Sequence, residues 1–326
     1  MERRNFLKLA TAGAAVASGA YVFMGRDSHA ETPVFIGKAA SYQADIPGLL
    51  KQALAGLRFD PARIAGKTVL LKPNLVEPHS GAGHINTHPA VVAAAAEAFL
   101  SLGAGRVVVA EAAGHRRDTH EVLELSGLGH ALREDRIPFM DFNACELSAV
   151  TNASGLTSLK KLFLPNPLLA ADLIVSVAKM KTHHWAGVTL SMKNLFGVMP
   201  GTVYGWPKNV LHAEGIPNSI VDIFATVKPH LAIVDGIVGM EGDGPIMGTP
   251  KHAGVIVVGE NPVSVDATCA RIMGADPWKV PYLKLARRYG PLSERAIIQR
   301  GEPVGEVYSP FKFLDFIDAQ RIKTDG

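Results

Sequence analysis

The sequence predicts an α/β protein built on a mostly parallel sheet with helices on both faces. Short β-branched runs alternate with helical stretches from residue 33 to beyond residue 270. Such alternation gives parallel strands joined by right-handed crossovers. Charged residues make up only 19% of a chain that is 48% hydrophobic, as expected of a sheet covered on both sides. Its 326 residues are enough for one large domain or two tightly joined ones.

The elements follow in order. TPVFIGKA reads as a strand and IPGLLKQALAGL as an amphipathic helix. KTVLLKPNLV is a strand ending in Lys72-Pro73-Asn74. HPAVVAAAAEAFLSLGAG is a helix with Pro89 in its first turn and Gly103 or Gly105 near its C-cap. RVVVAEAAG, THEVLELSGLGHALRED and IPFMDF then read as strand, helix and strand. In the second half LKKLFLP and ADLIVSVAKMK are strands, and a helix near 216–228 leads to the strand HLAIVDGIVGM. The loop EGDGPIMGTPKH, the strand GVIVVGE and the helix PVSVDATCARIMG complete the core. The chain from Asp276 onward reads as helical and peripheral. No repeat or low-complexity linker divides residues 31–326, so a single α/β domain is expected, with the Gly/Pro-rich segment 195–215 as a candidate lid. The layout is Rossmann-like but lacks a dinucleotide motif.

The first thirty residues are read separately. ERRNFLK is a paired-arginine region, followed by the weakly apolar LATAGAAVASGAYVFMG and by SHA, which ends at Ala30 with small residues at −3 and −1. This is the layout of a secretory signal, and Arg3-Arg4 followed by Phe6-Leu7-Lys8 resembles a twin-arginine (Tat) signal. The resemblance implies the Tat export machinery as a partner, a periplasmic location, and a raised expectation of a bound metal or cofactor. An uncleaved signal would instead anchor the chain in the membrane, although its apolar run is short and Ala/Gly-rich. Four Lys/Arg and two Asp/Glu lie in this segment, which leaves the rest of the chain near +1. No nucleic-acid partner is expected of such a balance. Two cysteines, Cys145 and Cys269, lack any CxxC spacing, which excludes a Cys-ligated iron–sulfur cluster or a Cys₄ zinc site. Their pairing in a disulfide stays open, as does oligomeric state.

In open α/β sheets, ligands bind outside the C-terminal ends of the strands. The unusual polar residues collect there. In KMKTHHWAGVTLSMKN, alternation along an extended chain puts Lys179, Lys181 and His183 on one face. Such a cluster can receive phosphate or carboxylates, and desolvation can lower a lysine into the range of a base. These three are the candidate catalytic residues. Lys72, Asn74, Lys193 and Asn194 are the candidate substrate ligands. His88, His115, Glu111, Asp235 and Glu241 are the candidate ligands of a divalent metal ion. Glycines in PHSGAGHINTHP would let backbone N–H groups approach an anion; the plainer reading is a loop in which Thr87 or His88 caps the next helix. Asp118 or Thr119 is read as a helix cap, and Asp266 as either a cap or a group pointing into the site.

LLKPNLV, THPAVVAAAAEAFLSLGA, KMKTHHWAGVTLSMKNLFG, IVDGIVGMEGDGPIMGTP and GENPVSVDA, in this order across about residues 67–275, resemble the DUF362 family. The resemblance implies no activity. Some relatives carry ferredoxin-like iron–sulfur segments, which this chain, without the cysteine motif, departs from. EAAGHRRDTHEVLE also resembles the G-x-H-R stretch of nickel-pincer lactate racemases, which keeps isomerase or proton-transfer chemistry in view. The expected function is that of an exported enzyme acting on a small anionic substrate by metal-assisted hydrolysis or isomerisation. The alternative is a non-catalytic periplasmic anion- or metal-binding carrier.

Overall fold

The computed structural model describes residues 32–81, 83–114 and 117–315. Its strands are β1 (Thr32–Lys38), β2 (Thr68–Pro73), β3 (Arg106–Glu111), β4 (Phe139–Asp141), β5 (Leu147–Thr151) and β6 (Lys161–Pro165) in the first half. They continue with β7 (Leu173–His183), β8 (Gly187–Thr189), β9 (Leu231–Glu241), β10 (Thr249–Gly259) and β11 (Ile297–Gly301). The main sheet runs β11-β1-β10-β9-β7-β2-β3-β4, with β8 folded back onto β7. The β1/β11, β2/β3, β2/β7, β3/β4 and β7/β9 pairs are parallel. The β1/β10, β9/β10 and β7/β8 pairs are antiparallel. The sheet is therefore mixed but mostly parallel, with helices on both faces.

Side-chain alternation splits the apolar residues between those faces. Leu70, Ile174 and Val234 pack with residues of the helices Ile216–Val227, Pro262–Ile272 and Pro281–Ala286. Their strand neighbours Val69, Leu71, Val175 and Ile233 pack with residues of the helices Ile46–Gly56 and Pro89–Ser101. Strand β7 is buried over all eleven residues because both its faces are covered and both its edges are paired. The chain leaves β2 toward β3 and β4 on one side, then returns through β7 on the other. This reversal between β2 and β7 opens the crevice in which open α/β sheets hold their ligands.

Four elements differ from expectation. β10 runs antiparallel because the loop after β9 spans only residues 242–248, too short for the crossover a parallel partner needs. The segment from Asp276 does not stay peripheral: β11 extends the sheet edge beside β1. β6 leaves the main sheet and pairs with β5, a strand the sequence reading missed. The helix expected over THEVLELSGLGHALRED breaks into Thr119–Leu125 and Leu128–Glu134, where Gly127 adopts φ +79°. A left-handed residue cannot continue a right-handed helix. Asp118 caps the first of these through the Glu121 N–H. Cys145 and Cys269 are both free thiols.

Asp266 fixes the short helix Ser191–Asn194 against the sheet. Buried in the helix Pro262–Ile272, it accepts hydrogen bonds from Ser191 N (2.8 Å), Ser191 Oγ (2.5 Å), Met192 N (3.1 Å) and Tyr282 Oη (3.0 Å). Burial pushes its carboxyl up to about 6 against those four donors. Asp266 is thus a cap and does not face the crevice. Asp266→Ala should cost roughly 1–3 kcal/mol in urea unfolding at pH 8, since it strands two buried backbone N–H groups. A stability within ~0.5 kcal/mol of wild type would show that another acceptor seats the turn.

Candidate functional site

Two buried ion pairs stand at the strand ends that flank the crevice. Lys72 on β2 donates to Glu111 on β3 at 2.5 Å, and also to Asn194 Oδ1 (3.0 Å) and the Pro73 carbonyl (2.7 Å). Lys179 on β7 donates to Asp235 on β9 at 2.5 Å, to Tyr42 Oη (3.0 Å) and to the carbonyls of Gly83 (2.7 Å) and Val238 (3.2 Å). Burial pushes the Glu111 carboxyl up and both lysines down, and each partner's opposite charge opposes that shift. Gly197 packs so closely on the first pair that a Cβ there would strike Glu111 Oε1 and Lys72 Nζ.

Between these pairs lies a cavity of about 1140 Å³. Lys72, Lys181, Lys193 and Lys208 line it together with Asn74, Glu111, His183 and Asn194. Lys181 is completely buried, yet its ammonium meets only neutral oxygens: Asn74 Oδ1 (2.8 Å), Ile85 O (2.8 Å) and Pro245 O (3.2 Å). Lys208 likewise donates to the carbonyls of Ala112 (2.8 Å) and Phe196 (2.7 Å). Lys193, partly open to the cavity, sits 3.6 Å from the centroid of the Phe196 ring. Among the described residues, none of these three lysines has a carboxylate partner. Burial is the first cause that lowers all three. It takes Lys193 and Lys208 down to about 7, with neighbouring lysines adding to the shift, and holds Lys181 well below its ordinary value.

His183 ends β7, where its Nδ1 accepts the N–H groups of Trp185 (3.0 Å) and Ala186 (3.2 Å). A nitrogen that accepts two backbone protons carries none itself, so the neutral ring holds its proton on Nε2. Burial, then the charge of Lys193, keeps the imidazole well below its usual range. His183 lines the cavity with its Nδ1 already engaged by these two backbone groups. The turn beyond it puts Trp185 at the cavity wall, 60% exposed, and Met247, 77% exposed, also lines the cavity.

The candidate catalytic trio is divided. Lys179, Lys181 and His183 do follow one another along β7, but Lys179 is consumed by Asp235 and does not line the cavity. A register shift against β9 separates the two lysines: Lys179 pairs with Asp235 but Lys181 with Met240. The four candidate substrate ligands Lys72, Asn74, Lys193 and Asn194 all line the cavity. The candidate metal ligands do not converge. Glu111 belongs to the first ion pair and Asp235 to the second. His88 caps the helix Pro89–Ser101 through Nδ1 and stacks on Tyr42, while its backbone N–H donates to Asp235. Glu241 accepts from the Lys312 N–H, away from the cavity, and His115 lies outside the described residues. Among the described residues, no three His, Cys, Asp or Glu side chains are grouped to hold a metal ion.

The loop after β2 turns the carbonyls of Gly83 and Ile85 toward lysines, whereas one of its two readings from sequence had N–H groups facing an anion. Sequence reasoning missed Lys208. Lys208 has φ +69° and follows a cis Trp206–Pro207 bond, and no pattern in GWPKN announces that its chain turns inward. Arg117 pairs with Glu77 at the cavity rim. The segment expected as a lid packs as a cavity wall, with Leu195, Phe196, Tyr204 and Leu211 buried beneath it.

The model of the family described as "Domain of unknown function (DUF362)" matches residues 69–271. The thylakoid-associated protein sll1697 of Synechocystis sp. is 28% identical over 263 residues, 76% of this chain and 79% of that protein. Among solved structures, the lactate racemase apoprotein from Thermoanaerobacterium thermosaccharolyticum is 15% identical with a TM-score of 0.44, over 77% of this chain and 59% of that one. A structural-genomics protein from Thermotoga maritima is 16% identical with a TM-score of 0.38, over 68% and 58%. The chain thus spans less than two thirds of either solved protein.

Depressed lysines make stability depend on pH in a set direction. The unfolded chain keeps these protons up to about 10.5, whereas folded Lys193 and Lys208 release them near 7. Between those limits the unfolded state holds more protons, so stability rises with pH across the window. Lys193→Met should raise Tm at pH 6, and that gain should shrink toward pH 10. A Tm offset that stays constant over pH 6, 8 and 10 in calorimetry would contradict the depressed lysine.

Proposed function

Because the chain belongs to the DUF362 family, whose description names no activity, we propose its function from the cavity itself: it is an enzyme acting on a small molecule that carries phosphate or carboxylate groups. The observation that supports this most is the set of three cavity lysines, Lys181, Lys193 and Lys208, with no carboxylate partner among the described residues. An anion would supply the missing countercharge beside buried ammonium groups, where each interaction is stronger than in water. Lys181 is held rigidly and suits the binding of charge. Lys193 and Lys208, lowered to about 7 and so about half protonated at pH 7, suit the movement of protons. Hydrolysis and isomerisation both draw on those abilities. Charge neutralisation is assigned to the lysines rather than to a divalent metal, because Glu111 and Asp235 are already engaged by Lys72 and Lys179.

Anion binding should pull protons onto Lys193 and Lys208. Calorimetric titration with sulfate and malonate at pH 7.5, in buffers of different ionisation enthalpy, should show net proton uptake. Affinity should fall about tenfold or more between pH 6.5 and 9, as the cavity loses charge. Lys181→Ala should weaken binding further. Neither anion binding at pH 6.5 would refute the reading, and a bound natural anion that is never chemically changed would point to a carrier.

We also propose that residues 1–30, outside the described residues, direct Tat export, as Arg3-Arg4 and Phe6-Leu7-Lys8 suggest. Among the described residues, no helix is long and apolar enough to cross a membrane. A folded reporter fused to residues 1–30 should reach the periplasm, and the double change Arg3→Lys, Arg4→Lys should keep it in the cytoplasm. Export of the doubly changed fusion at the wild-type level would refute the Tat route.

A further inference from the structure

We propose that Lys193 is a covalent nucleophile that forms a Schiff base with an oxo-acid, a substrate carrying both a carbonyl carbon and a carboxylate. The inference rests on the anion-site reading above and narrows its substrate class.

The four cavity lysines are not equivalent. Lys72 is locked by a carboxylate, an amide and a carbonyl. Lys181 is locked by three neutral oxygens, and Lys208 by two carbonyls. Lys193 alone among them has neither a hydrogen-bond acceptor nor an ion-pair partner among the described residues. Its Nζ sits over the Phe196 ring, 3.6 Å from the centroid, and the residue lines the cavity. An amine that makes no hydrogen bond keeps its lone pair available, and burial with neighbouring cations takes Lys193 down to about 7, where much of it is unprotonated. The surroundings complete the requirements. Lys181, whose ammonium meets only neutral oxygens, offers positive charge to a carboxylate, and His183 lines the same cavity.

The step balances without an added oxidant or reductant. The Lys193 nitrogen lone pair forms a bond to the carbonyl carbon while the C=O π pair moves to oxygen, which takes a proton. The carbinolamine then loses that hydroxyl as water. Nitrogen supplies the pair for the C=N bond; one of its two protons has already passed to that hydroxyl, and the second replaces the proton that helped the hydroxyl leave, so that amine plus carbonyl yields imine plus water. Lys208, with two of its nitrogen positions fixed by carbonyls, can give the departing hydroxyl its proton and take back the one released.

The test treats the full chain with pyruvate and cyanoborohydride at pH 7 and maps the reduced adduct by peptide mass spectrometry. Lys193 should be labelled more than about tenfold faster than surface lysines such as Lys51, because far more of it is unprotonated. Malonate should compete, and Lys193→Arg should lose the adduct. Labelling confined to other lysines, or no faster at Lys193 than at Lys51, would overturn the proposal. If malonate still binds in that case, the anion site stands and only the covalent step falls. If malonate does not bind, both fall.

Discussion

Buried charge is the constraint on which the rest of this structure depends. Transferring an ammonium from water to a protein interior costs several kcal/mol even after relaxation. The chain does this repeatedly, at neighbouring strand ends of one sheet. At two places the cost is offset by a carboxylate on the adjacent strand, Glu111 for Lys72 and Asp235 for Lys179. Each pair crosses between parallel strands, the first just past the last paired residues of β2 and β3 and the second where the β7/β9 register shifts, so each also holds those strands together. The crevice between β2 and β7 has one such clamp on either side.

The paired and unpaired lysines divide the work. A lysine with a carboxylate partner is neutralised and immobile, and adds little attraction for a ligand. A lysine held by carbonyls and amides is just as immobile but leaves its charge uncompensated, whether by retaining a proton at some cost or by releasing it. Pocket electrostatics therefore follow from which oxygens the fold brings to each nitrogen. The β2–α loop matters for this reason: Gly83 O goes to Lys179 and Ile85 O to Lys181, so one short loop serves both kinds. Removing a partner from a buried pair leaves the other charge stranded, whereas removing an unpaired lysine relieves a strain.

Much of this was legible in the sequence. The βα alternation and the apolar strands gave the sheet, and Lys72, Asn74, Lys193 and Asn194 are brought to one cavity as their positions at element ends implied. The failures have physical causes. Alternation says which face a side chain takes but not what opposes it, so Lys179 and Lys181 looked alike although only one meets a carboxylate. His88 and Asp235 read as ligands because a His and an Asp near strand ends carry no mark to separate a metal site from a cap and an ion-pair partner. Lys208 was invisible because its inward turn depends on backbone geometry around Trp206–Pro207 that no periodic pattern encodes. The direction of β10 turned on loop length, and the loop's glycines and prolines suggested a site before they suggested a hairpin.

The span that the family matches is shorter than the sheet it belongs to. Residues 69–271 exclude β1, which fills the gap between β10 and β11, and exclude Tyr42, whose hydroxyl completes the shell around Lys179 and Asp235. They also stop short of Tyr282, which donates to the Asp266 carboxylate beneath the turn bearing Lys193. A fragment trimmed to the matched span would keep every cavity lysine and lose the parts that hold them still. In this protein the boundaries of recognisable sequence and the boundaries of mechanical support are different, and the reactive groups rely on residues at both ends of the chain.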